Sequence, residues 1–146
     1  MKDVKFLAIF VGLIVDICGS LLTGVVIGVG LTVFYAAQGV PLKQITAQLS
    51  SEQLNNSFLM LFTSIGLGEI SVLAGGFITG WMAKNHAVKN ALITGSISAA
   101  LGLAFAGFYP IWYNILCVLL TPSIAALGGY IAQLLFGNRQ SPQIPE

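Results

Sequence analysis

The sequence predicts an all-α integral membrane protein, a four-helix bundle with both termini in the cytoplasm. Three observations carry that prediction. Hydrophobic residues make up 56% of the 146-residue chain and charged residues only 8%, against about 25% charged in a soluble domain. The apolar residues collect into four long runs separated by short polar segments. Within the runs, glycine, alanine, serine and threonine recur at steps of three and four, the spacing that lets membrane helices approach closely. The net charge of +1 gives no argument for a nucleic acid or another polyanionic partner.

The first run, about residues 6–34, follows Lys2 and Lys5. It has no small-x-small site at its end, and hydrophobicity continues to Phe34, so it reads as a retained anchor rather than a cleaved signal. Cys18 is preceded by Asp16 and Ile17 rather than small residues, which removes a lipoprotein reading. A span needs about 20 residues at about 1.5 Å each, so this helix should tilt or protrude. Gly12, Asp16, Gly19, Ser20, Thr23 and Gly30 share one side of a helical wheel. The other side is Val, Leu, Ile and Phe and suits lipid.

Residues 36–57 form the one long connection. Gly39 and Pro41 stop the first helix. Leu42, Ile45 and Leu49 then recur at helical spacing among Lys43, Gln44 and Gln48, as in a short amphipathic helix at the membrane interface. Ser50 and Gln53 make a capping box, with Leu49 and Leu54 placed for the accompanying hydrophobic staple. Asn55–Ser57 matches a glycosylation sequon, but its closeness to the bilayer argues for a plain loop.

The second run, residues 58–82, is the expected centre of the bundle. One side holds Gly66, Glu69, Gly76 and Gly80; another holds Ser64, Gly68, Ser71, Gly75 and Thr79. A helix that is small on two sides should have neighbours on two sides. The polar segment KNHAVKN (residues 84–90) reads as a short turn, and its lone His86 as a solvated loop residue. The third run, about residues 91–108, carries Ala91, Gly95, Ser98, Gly102 and Ala106 at the same spacing as the second. The second and third runs are therefore the expected close antiparallel pair, with the first run also against the second. Phe108, Tyr109, Trp112 and Tyr113 surround Pro110 as an aromatic belt at an interfacial turn. The fourth run, residues 111–136, has Thr121, Ala125, Gly128 and Ala132 as its small stripe, and Pro122 should kink it. Residues 137–146 read as a disordered cytoplasmic tail, so the whole is one transmembrane domain, residues 1–136. Lys2, Lys5, Lys84, Lys89 and Arg139 fall on one side and only Lys43 on the other, which puts both termini in the cytoplasm.

Chemistry could reside in Asp16 and Glu69. Asp16 is ten residues in from Phe6, and Glu69 is twelve before Trp81. Both lie about 15–18 Å deep in a core about 30 Å thick. An acid there costs about 3 kcal/mol on insertion scales, and no Lys, Arg or His lies inside a run to neutralise it. Each should carry a proton, share one with the other, or bind a cation. Two readings follow. In the first, both acids are protonated and hydrogen-bonded to Ser20, Thr23, Ser64 or Ser71, as glue between the first and second helices. The protein is then a structural or accessory subunit that acts through helix association, with itself or a larger membrane complex, and Gly66, Gly68, Gly75, Gly76, Gly80, Gly95, Gly102 and Gly128 are the packing residues. In the second, Asp16 and Glu69, with Ser20 and Thr23, form a proton or cation site in a small transporter or channel. No catalytic triad, phosphate loop or metal-ligand spacing appears, and Cys18 and Cys117 form no motif. The expectation is a non-enzymatic protein without a cofactor or metal.

The run LAGGFITGWMAKNHAVKNALITG, with PLKQITAQLSSEQL before it, resembles a pattern in small bacterial membrane proteins with four spans and no assigned activity. In these, a GG-x-x-x-small run closes the second helix and a basic, polar turn leads into a glycine-containing third helix. The resemblance covers about residues 41–102. It implies a multi-pass protein of the bacterial cytoplasmic (inner) membrane.

Overall fold

The computed structural model describes residues 4–49, 58–104 and 109–137, and all of its regular structure is helical. In chain order the helices are α1 (Phe6–Ala37), α2 (Leu42–Leu49), α3 (Phe58–Ala83), a 3₁₀ turn (Lys84–His86), α4 (Ala87–Leu103) and α5 (Ile111–Phe136). Three stretches are long and apolar enough to cross a membrane: Phe6–Ala37, Leu61–Leu103 and Ile111–Phe136. The expected capping box at Ser50 and Gln53, the staple partner Leu54, the sequon at 55–57, Ala106, Phe108 and the tail beyond Gly137 lie outside the described residues.

Each helix boundary has a local cause. α1 ends in a Schellman motif. Gly39 takes a φ of 78°, which glycine adopts without steric cost. Its N–H donates to Ala36 O at 3.0 Å, and the Val40 N–H donates to Tyr35 O at 3.2 Å. Pro41 then starts α2, its carbonyl accepting from the N–H groups of Gln44 and Ile45. In α2 Ile45 is buried, whereas Leu42 is exposed. The Pro110 carbonyl likewise accepts from Tyr113 and Asn114 at the start of α5, which runs unbroken through Pro122.

The turn after α3 is tighter than the sequence suggested. The polar run 84–90 is not all loop, because α4 begins at Ala87 rather than near residue 91. Asn90 is the reason its polarity misleads. Its side chain is fully buried, donating through Nδ2 to His86 O at 2.8 Å and accepting from the backbone N–H of Lys5 at 2.8 Å. That second bond pins the start of α1 beside the 3₁₀ turn, so Lys5, Lys84 and Lys89 belong to one end of the bundle. Thr79 and Thr94, seven residues before and eight after His86, meet at 3.1 Å between hydroxyls, so α3 and α4 run antiparallel.

α3 is central, touching α1, α4 and α5. The expected arrangement around it needs one correction: its most extensive partner is α5, not α4. Gly76 faces Ala125 and Gly80 faces Gly129. Gly95 of α4 also faces α5, at Ala125 and Pro122. α5 can wedge between α3 and α4 because it is small on two adjacent sides. Gly128 meets the α3 backbone at Leu73 and Phe77, and Gly129 meets Ala87 and Ala91 of α4. The other side of α3 meets α1: Gly75 lies against Gly12 and Asp16, Thr79 against Gly12, and Ser71 against Gly19.

Candidate functional site

The bundle has a closed half and an open half. In the closed half, toward Lys5 and the 3₁₀ turn, Thr79, Ala87, Asn90, Ala91 and Ala125 are completely buried. Thr79 Oγ1 lies 2.9 Å from Gly75 O and 3.3 Å from Ala8 O, and the Thr94 hydroxyl donates to Asn90 O at 3.0 Å. These hydroxyls satisfy local carbonyls and tie α1, α3 and α4 together, with no room left between the backbones.

In the other half the helices separate. Gly66, Gly68 and Gly102, expected in the packing seams, have no neighbouring atom among the described residues within 4 Å of where a Cβ would stand. The same holds for Gly24, Gly28 and Gly30 of α1. Side-chain size gives the reason. Toward its start, α3 presents buried Leu61 and Ile65 where Ser71, Gly75 and Thr79 stood nearer the turn, and these hold neighbouring backbones apart. Beyond Ser20 the α1 residues Leu21, Leu22, Val25, Val26 and Val29 are exposed.

The separation leaves a partly open cavity of about 550 Å³. α1 contributes Asp16, Ile17, Ser20 and Leu21 to its wall; α3 contributes Ser64, Ile65, Gly68, Glu69 and Val72. Ser98 and Leu101–Leu103 close it from α4, and Tyr109, Tyr113, Cys117, Val118 and Thr121 from the α5 side. Asp16 and Glu69, more than fifty residues apart in the chain, are thus walls of one space.

The acids are held only in part as the sequence suggested: Ser20 does reach Asp16, but among the described residues neither acid bonds across the α1–α3 seam. Asp16 Oδ2 accepts from Ser98 Oγ of α4, and Oδ1 accepts weakly from Ser20 at 3.5 Å. Glu69 Oε1 accepts from Thr121 Oγ1 of α5 at 2.9 Å. Glu69 Oε2 is buried and has no hydrogen-bond partner among the described residues. Glu69 as a whole is only 9% exposed and Asp16 only 4%. Ser64 lines the cavity, Ser71 packs on Gly19, and Thr23 does not reach the wall.

Aromatic rings mark both ends of the molecule. Tyr109 and Tyr113 stack with centroids 4.8 Å apart, and Trp112 meets Tyr113 edge-on at 6.1 Å. At the opposite end Phe136 packs on Phe77 and Trp81. In the sequence Tyr113 stands out only as a belt residue, and Cys117 belongs to no motif. Their shared four-residue step with Thr121 is the signal that could have put all three on one cavity-facing row. Comparison with protein-family models, with curated proteins and with solved structures gave no match.

Proposed function

We propose that the protein crosses the bacterial cytoplasmic membrane four times and binds a proton or cation at Asp16 and Glu69, as a small coupled transporter or channel. One observation carries this reading: two acids from different helices line one partly open cavity, and one of their oxygens has no hydrogen-bond partner among the described residues. Glue residues would have every acceptor satisfied, because a buried acceptor without a donor costs about 1–3 kcal/mol. A site that must take up and release a cation keeps one acceptor for it. The closed half then serves as the barrier and the cavity as a one-sided access route.

Length supports four spans. The 43-residue stretch Leu61–Leu103, if straight, would be about 65 Å long, twice the hydrocarbon core, and the Thr79–Thr94 contact supports two antiparallel passes. The shared end of Lys5, Lys84 and Lys89 supports a cytoplasmic N-terminus and turn. The resemblance to small four-span bacterial proteins supports the location.

The test is dissipation of a pH or cation gradient in proteoliposomes. Asp16→Asn and Glu69→Gln should stay folded, since amides still accept from Ser98 and Thr121, and should lose flux by about tenfold or more. A double variant that conducts like the wild type would sink the reading.

A second reading, association with another copy or a larger membrane complex, is favoured by a separate observation. In the α1 segment beyond Ser20, Leu21, Leu22, Val25, Val26 and Val29 are exposed, and no atom of the described residues lies within 4 Å of where a Cβ of Gly24 or Gly28 would stand. If that segment docks on a second copy, Gly24→Leu with Gly28→Leu shifts the detergent-solubilised protein to a smaller species in light scattering. An unchanged mass removes this reading and leaves the first untouched.

A further inference from the structure

The cavity is far larger than a bare ion needs, and its wall is mostly apolar. At about 550 Å³ it falls in the range of small-molecule pockets, about 300–1,000 Å³. A hard inorganic cation wants about six or more oxygen ligands, yet the oxygens here are largely engaged. Both Asp16 oxygens accept from serines, and Glu69 Oε1 accepts from Thr121. Among the described residues one buried side-chain acceptor has no partner, Glu69 Oε2, on a side chain that is more than nine-tenths buried. What it lacks is a hydrogen-bond donor. A donor that also carries positive charge makes the strongest such bond. Ile17, Ile65, Val72 and Val118 line the same cavity as Glu69, together with the stacked rings of Tyr109 and Tyr113. Aliphatic and aromatic surface of this kind takes an apolar body, and ring faces also favour a nearby cation.

We infer that the cavity binds a protonated primary or secondary amine with an aromatic or alkyl body, its N–H donating to Glu69 Oε2 and its body lying against Tyr109 and Tyr113. The inference rests on the carboxylate site proposed above and adds its substrate class. The N–H requirement separates it from a site for any lipophilic cation, since a quaternary ammonium has charge and bulk but no donor.

The experiment is equilibrium binding of radiolabelled 2-phenylethylammonium to the full-length protein in lipid nanodiscs, with three competitors. Unlabelled 2-phenylethylammonium should displace the label. The N,N,N-trimethyl analogue, with the same body and charge, and neutral 2-phenylethanol should each compete about tenfold less well or worse. Glu69→Gln, checked for an unchanged elution profile and helicity, should weaken binding by a similar factor. Equal competition by the trimethyl analogue overturns the donor requirement, and does so on the wild-type protein whether or not the variant folds. Equal competition by the alcohol, unchanged binding by Glu69→Gln, or no saturable binding overturns the amine site. Proton flux measured without amine separates the two levels. If flux depends on Asp16 and Glu69 while no amine binds, the substrate class falls and the carboxylate site stands; if neither is seen, both fall.

Discussion

Glycine does two different things in this chain, and the difference can be measured one residue at a time. A methyl group on Gly76 would run into the Ala125 backbone, with its Cα at 2.7 Å. Two helix backbones, neither of which can give cheaply, would have to separate. Gly76→Ala should therefore cost about 1–3 kcal/mol in unfolding titrations in detergent. Gly66, ten residues earlier on the same helix, has open space where its Cβ would stand, so Gly66→Ala should be neutral or stabilise by up to about 1 kcal/mol through helix propensity. Equal effects at the two sites would mean the α3–α5 seam is not where the structure puts it. Spacing alone could not tell these glycines apart. The four-three-four recurrence marks a face, but whether a neighbour reaches that face depends on the bulk of residues one and two turns away, here Leu61 and Ile65. The acids were legible to a similar degree. That they lie at a similar level along the bundle, on the wall of one cavity, fits their positions along the runs, while their partners Ser98 and Thr121 depend on how α4 and α5 are rotated, which position along a helix does not determine.

At the scale of an element, the connection between α3 and α4 combines local strain with tertiary support. Lys84 sits at a φ of 56°, a left-handed conformation that costs a residue with a Cβ about 1 kcal/mol and that glycine takes freely. The turn is held in place by Asn90, whose buried amide reaches both His86 and Lys5. Lys84→Gly should thus raise stability by up to about 1 kcal/mol in the same unfolding titration without altering flux. A loss of stability would show that the lysine side chain itself holds the turn. The end of α1 and the start of α5 were legible from Gly39–Pro41 and Pro110, because glycine and proline act through their own backbone. The start of α4 was not. Asn90 and Lys89 look like solvent-facing loop residues until the start of α1 arrives to use the asparagine, and that contact spans 85 residues.

For the whole molecule, small side chains set the shape. Where glycine, alanine and threonine line every seam the helices close, and where Leu61, Ile65 and the tyrosines enter they part. The result is a bundle sealed toward Lys5 and Lys84 and hollow toward Tyr109, with Asp16 and Glu69 bordering the hollow. The all-helical class and the membrane-length apolar stretches follow from composition and run length. The wedge of α5 between α3 and α4 does not, since the short turn made α4 look like the nearest partner of α3. The central claim is that the two acids form one proton or cation site in contact with the cavity. Infrared difference spectroscopy of the reconstituted protein, from about pH 5 to about pH 9, tests it most directly. The account predicts a carboxyl band that titrates within this window, loses intensity in Asp16→Asn and in Glu69→Gln, and shifts in each single variant because the remaining acid has lost its neighbour. A carboxyl signal that does not change across the window, or single variants whose spectra simply add, would contradict it.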